Sequence, residues 1–247
     1  MANRLLDRQA SLLAHLTSGA AIFGRAAPCD HALDGIDPAL LHLEAKFSYE
    51  KRIEKIAATL PRGFAILGAR ADAVLRAFAE ACPPTEMGRI DNARQFHAFV
   101  AAQWRDAPPH LADVMACELA RAAAAQAGGE VALGGTHAAL GTTPAALGAI
   151  RRRPGVVLVR CGYDVRQIFE QGGAGAPGRD VPMRDTPLAV TVAPGATEPQ
   201  IFELPPALFD LLAALDDWTD PSAFGGHAGA DALIRDLAAH ALIEVRA

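Results

Sequence analysis

Motifs that carry chemistry are missing from this chain of 247 residues. There is no GxSxG nucleophile elbow, no GxxxxGK[ST] phosphate loop and no GxGxxG dinucleotide turn. The eight histidines form no HxxxH, HExxH or HxH pair. Cys29 and His31 make a single CxH, too little to hold a metal. The four cysteines (Cys29, Cys82, Cys117, Cys161) lie far apart with no CxxC, as expected of reduced thiols in a cytoplasmic protein rather than of a disulfide framework. The opening MANRLLDRQASLLAHL is amphipathic and carries Asp7, so it does not read as a secretory leader. No apolar run is long and clean enough for a bilayer, so no membrane partner is expected. Aromatic residues are only 6%, which predicts aliphatic cores. These absences point to a protein with no catalytic residues, no metal ligands and no cofactor of its own.

Positive charge is also scarce. The formal net charge is −5, against a general nucleic-acid binder, which must neutralise phosphates. The one dense basic cluster, Arg151, Arg152 and Arg153, precedes a Pro-Gly turn and reads as a solvated helix end.

What is present is patterned apolar sequence. The first half predicts helices: Leu5 to Phe23, Pro38 to Leu60, Arg70 to Cys82, Asp91 to Trp104 and Pro108 to Gln126. Asp37 before Pro38 is an N-cap followed by proline at the first helical position. Tyr49, Ile53, Ile56 and Leu60 form an inward stripe, with Lys51, Arg52, Glu54 and Lys55 on the other faces. Glu118 falls on the apolar stripe of the last helix and reads as a structural acid held by an arginine or a helix N-terminus. After Gln126 the composition turns to glycine and alanine, with a cap at Thr143-Pro144 opening a short helix toward Arg151. VVLVRC predicts a strand, DVRQIF a short helix, and QGGAGAPGRD an exposed linker.

From about Val181 the pattern becomes strand, strand, helix, gap, helix, strand. TPLAVTVAP alternates, QIFEL follows a GATEP turn, Leu208, Leu211, Leu212 and Leu215 have helical spacing, and ADALIRDLAAHALIEV closes the chain. The fold class is therefore α+β, with a helical domain at 1–127, a connecting segment at 128–180 and a winged-helix-like module at 181–247. In a DNA reader the second helix would carry basic or amide side chains. Here Arg235 and His240 stand among Asp231 and Asp236, after Asp216, Asp217 and Asp220. A peptide added to a strand edge is the better ligand. Leu188, Val190 and Val192 alternate with small residues, which leaves an open small face compatible with a neighbouring strand or with plain sheet surface.

QFHAFVAAQWRDAPPHLADVMACELARAAA, with Phe96, Phe99, Leu111, Ala112, Glu118 and Ala120, resembles the central helical pair of the HvfC/BufC-type peptide-modification chaperones. VVLVRCGYDVRQIFEQ, with Val157, Leu158, Tyr163, Val165 and Ile168, is similar to the strand-turn-helix that follows in that family, and LAVTVAP…IFELPPALFDLLAAL to its last domain. Phe169 stands where that family has tryptophan, and the first 85 residues do not follow its opening. The resemblance implies a non-catalytic partner of a multinuclear iron TIM-barrel oxidase. Such a partner captures the leader of a ribosomally made precursor peptide with a winged-helix-like (RiPP recognition element-like) module. The residues expected to receive the peptide are Leu188, Val190, Val192, Ile201, Glu203 and Arg235, with Leu188–Val192 or Ile201–Leu204 as the receiving edge. Those expected to dock the enzyme or attract an acidic leader are Arg151, Arg152, Arg153 and Tyr163. The alternative is a winged-helix transcriptional regulator.

Overall fold

A computed structural model describes residues 2–25, 30–134, 148–170, 180–221 and 230–246. Cys29, the Thr143-Pro144 cap and most of the linker from Gln171 lie outside the described residues. The chain is mixed helix and antiparallel sheet, an α+β protein. It divides into two compact units, Met1–Met115 and Ala116–Ala247.

The first unit is helical. It contains α1 (Ala2–Leu16), α2 (Gly19–Ile22), α3 (Pro38–Thr59), α4 (Pro61–Leu67), α5 (Ala71–Ala81), α6 (Arg89–Gln103) and the start of α7 (Leu111–Gly134). The helix expected over Leu5 to Phe23 is two helices. Ser18 adopts an extended conformation (φ −77°, ψ 137°), and its hydroxyl accepts from the Ala21 N–H, so the chain restarts there. Gly19 then passes so close to α5 that a Cβ would meet the Glu80 backbone at 3.1 Å. Asp37 caps α3 as its sequence predicts, accepting from the Ala39 N–H at 2.8 Å.

Four aromatic side chains of this unit pack against one another. Phe96 packs against Phe64 and Phe78 with ring centroids 5.6 and 5.1 Å away, and Phe78 against Phe99 at 5.5 Å. The expectation of aliphatic cores is corrected here, because Phe78, Phe96 and Phe99 are buried. Arg52 lies 4.4 Å over the Phe78 ring and donates to Asn92 Oδ1, Gln95 Oε1 and the Cys82 carbonyl. Burial pushes its guanidinium down to about 10, and these three acceptors are neutral groups that replace water without adding a countercharge.

The second unit holds the sheets. β2 (Val157–Tyr163), β3 (Met183–Thr191) and β4 (Gln200–Glu203) form one antiparallel sheet in the order β2-β3-β4. β1 (Ala149–Arg152) pairs with β5 (Ile243–Arg246), and its other side meets Thr219 in an isolated bridge. Residues expected to connect two domains thus supply β1 and β2. The helices are the rest of α7, α8 (Arg166–Glu170), α9 (Pro206–Ala214) and α10 (Ala230–Ala239).

Both faces of the three-stranded sheet are covered. Ala189, Leu158 and Phe202 turn to the core made with Leu212, Leu215, Ile234 and Leu237 of the α9–α10 region. Val190, Val157, Val159 and Ile201 turn to Ala120 and Ala124 of α7. The small residues on α7 are the reason it lies close. At Gly128, one further turn along, a Cβ would sit 3.1 Å from the Val192 Cβ. The helix runs on to Gly134, past its expected end at Gln126 and into the expected connecting segment. The expectation that β3 leaves one small face open is overturned: Thr186 through Thr191 are all buried. Ala189 is small because helices are packed over it.

Gly128→Leu is expected to destabilise the second unit by about 1–3 kcal/mol, since the added side chain must push α7 off Val192. Urea unfolding followed by circular dichroism measures it. A variant as stable as the parent would contradict this packing.

Candidate functional site

The sheet has two outer strands, β2 and β4. Hydrogen-bonded and non-bonded pairs alternate along an antiparallel ladder. The Leu204 N–H donates to the Pro187 carbonyl at 2.9 Å, which sets the phase. With Ala189 opposite Phe202 and Leu188 opposite Glu203, Phe202 and Gln200 bond inward to β3. The N–H and C=O of Ile201 and Glu203 point outward. Among the described residues no backbone bond reaches them.

The outward positions at either end of β4 are Pro199 and Pro205, neither of which has an N–H. Natural sheets shield an edge with short strands and prolines. Here both devices leave only the Ile201–Glu203 stretch able to pair. An incoming strand gains about 1 kcal/mol net from each backbone bond. A ladder this short therefore needs side-chain contacts as well.

On one side of the β4 edge lies α10. Phe202 meets the His240 ring edge-on, with centroids 5.4 Å apart. His240 directly follows α10, and Leu233 and Asp236 precede it at helical spacing on the same side of that helix; all three are exposed. The next residue, Glu203, turns to the opposite face of the sheet and enters a closed ring of charge. Arg166 reaches Asp164 Oδ2 at 2.8 Å and Glu203 Oε2 at 2.5 Å. Arg184 reaches the same Asp164 oxygen at 2.7 Å and Glu203 Oε1 at 2.6 Å. Donation from Arg166, then Arg184, holds the Asp164 carboxyl well below the usual carboxylate range despite its burial. Hydrogen bonding to Glu203 and Asp164 in turn raises the Arg184 guanidinium.

The expected site residues do not all come together. Ile201 and Glu203 are on the exposed edge. Leu188 and Val190 are fully buried in β3, which is paired on both sides and offers no free edge. Val192 lies just past β3 and packs toward α7. Arg235 is exposed on α10 and donates to the Asp231 carbonyl.

The three arginines are not a helix end. Arg151 and Arg152 are in β1, and Arg153 follows directly. Arg151 pairs with Glu244 at 2.7 Å and stacks 4.5 Å from the Trp218 ring. Arg152 pairs with Asp216, and buried Arg153 donates to the Val192 carbonyl. Two of them are paired with acids and the third is buried, so they do not form an open basic rim. Tyr163 is half-buried at the end of β2, opposite Met183, and is itself partnered. Glu118 is buried and partnered, as a structural acid must be.

Sequence reasoning did not single out Asp164, Arg166, Arg184, Pro199 or Pro205. The prolines could have been found by parity with Ile201 and Glu203. The charge ring could not, because its members meet only through strand pairing. Among the described residues no three histidine, cysteine or acidic side chains converge to hold a metal. No helix among them is long and apolar enough to cross a membrane. No protein-family model matches the chain, and no curated protein matches it.

Because the Asp164 carboxyl titrates lower when folded than its ordinary 3.8, its ring stabilises the fold fully above that pH. The contribution is lost as pH falls through the folded value. Asp164→Asn is expected to cost about 1–3 kcal/mol at neutral pH. Thermal melts from pH 7 downward should show the gap between variant and parent closing in acid. A gap independent of pH would contradict the role given to Asp164.

Proposed function

We propose that this chain is a non-catalytic subunit that captures the leader of a ribosomally made precursor peptide. It presents that peptide to a multinuclear iron-dependent TIM-barrel oxidase. The observation that carries the reading is the outer edge of β4, where the N–H and C=O of Ile201 and Glu203 face outward beside α10. An extended peptide can add there as a fourth strand, with alternate side chains meeting the flank of Phe202, Leu233, Asp236 and His240.

The arrangement around α9 and α10 supports a winged-helix-like module. Thr219 lies between α9 and α10 in the chain and bridges β1, while β5 follows α10 and pairs with the other side of β1. Two helices with a small sheet built from their flanking segments form the frame of such modules. In this reading β1 completes the small sheet from upstream in the chain. The acidic flank of α10, with Asp231 and Asp236, suits a peptide better than a phosphate backbone. It also favours a leader with a cationic side chain toward α10 over an acidic one. The resemblance of residues 90–215 to the HvfC/BufC-type chaperones supplies the nature of the enzyme partner.

Ile201→Pro removes an outward N–H without touching the inward ladder, and proline is tolerated on an edge strand. Co-expression with the iron oxidase and its precursor, followed by pull-down, should recover both proteins with the parent chain. With Ile201→Pro, precursor binding is expected to fall at least tenfold while the far-ultraviolet spectrum is kept. A parent chain that recovers neither protein would sink the proposal. Unchanged precursor binding by a folded Ile201→Pro would sink the choice of edge.

A further inference from the structure

Two cysteines separated by 44 positions meet inside the second unit. Cys117 lies on the sheet-facing side of α7, three residues before Ala120, and Cys161 lies on β2 on the face that carries Val157 and Val159. Both are buried, at 0% and 1% exposure, and their sulfurs are 3.8 Å apart. Neither is in a disulfide. Cys82, by contrast, is partly exposed in the first unit, and its carbonyl accepts from Arg52.

We propose that Cys117 and Cys161 are a disulfide-forming site that staples α7 to β2, with small organic disulfides as the oxidant. A sulfur–sulfur bond is about 2.05 Å long, so each Sγ must move by roughly 0.9 Å. A shift of that size is on the scale that rotation about the Cα–Cβ bonds gives a sulfur. The chemistry is two thiol–disulfide exchanges. In the first, the thiolate of one cysteine attacks glutathione disulfide during a local opening of α7, forming a mixed disulfide and releasing one glutathione thiolate. In the second, the neighbouring cysteine attacks the protein sulfur of that mixed disulfide. The Cys117–Cys161 bond forms and the second glutathione leaves. The two protein thiols are oxidised, one disulfide is reduced to two thiols, and those thiols carry away both protons.

Burial directs the outcome. The closed core has no room for a glutathionyl group beside Ala120 and Val159, so re-closure of α7 favours the exchange that expels it. Once formed, the bond is shielded from reductants by the same packing. It closes a long loop between α7 and β2, and long loops give the largest constraint on the unfolded chain. The proposal does not depend on any peptide binding to β4.

The test uses the full chain, purified reduced. It is incubated with excess glutathione disulfide, alone and in mild urea to promote opening, then alkylated, digested without reductant and mapped by mass. The Cys117 and Cys161 peptides are expected as one linked species, and the Cys82 peptide as its glutathione adduct. The melting temperature of the linked form should rise by roughly 5 °C or more over the reduced form. Cys117→Ser and Cys161→Ser should each abolish both the linkage and the rise. Recovery of both peptides as alkylated free thiols, or each carrying glutathione, overturns the proposal. The mapping of the parent protein decides this even if a variant fails to fold.

Discussion

The second unit depends on the burial of β3. This strand is paired with β2 on one side and β4 on the other, and helices cover both of its faces. Six consecutive residues, Thr186 to Thr191, are shut away from water. That constraint dictates the rest. One face must accept α7 closely, so its contact residues are Ala120, Ala124 and Gly128. The other must accept the α9–α10 region, so the middle residue there is Ala189. With β3 enclosed, strand addition can occur only at an outer strand. At β4, prolines reduce the available edge to the groups of Ile201 and Glu203.

Charge follows the same logic of enclosure. In the first unit Arg52 is half-buried against Phe78 among neutral acceptors, and its guanidinium is correspondingly easier to deprotonate. In the second unit charges close on one another. Asp164, Arg166, Arg184 and Glu203 form a ring, while Arg151 and Arg152 each find an acid. The arginine cluster that stands out in the sequence is committed within the unit. What remains exposed beside the β4 edge is the acidic and aromatic flank of α10. The surroundings of the β4 edge therefore suit a strand beside Asp236 and His240 better than an acidic leader on a basic rim.

Much of this was legible from local signals. Asp37-Pro38 announces α3, the VVLVRC run announces β2, and the two strands and two helices after Val181 appear in the expected order. What could not be read depends on distant partners. Of the four residues of β1 only Ile150 is buried, and its strand character comes from β5, which lies more than ninety residues away. Three arginines in a row look solvated until Glu244 and Asp216 are brought to two of them. The alternation in β3 is visible in the sequence, but its small residues are equally compatible with an open face. Small side chains mark close packing as often as exposure, and only the covering helices distinguish the two. The glycines after Gln126 misled in the same way, because Gly128 is needed for proximity to Val192. At the candidate site, Ile201 and Glu203 could be picked from the sequence. The phase that turns their backbone outward required the bond between Leu204 and Pro187.

The central claim is that the outer edge of β4 receives a peptide as an added strand. Amide hydrogen exchange resolved by residue tests it most directly. In the free protein the Ile201 and Glu203 amides should exchange quickly and the Phe202 amide between them slowly. With the precursor peptide bound, Ile201 and Glu203 should become protected to a level near that of Phe202. Rapid exchange at both positions in a saturated complex would show that the peptide binds elsewhere and would contradict the account.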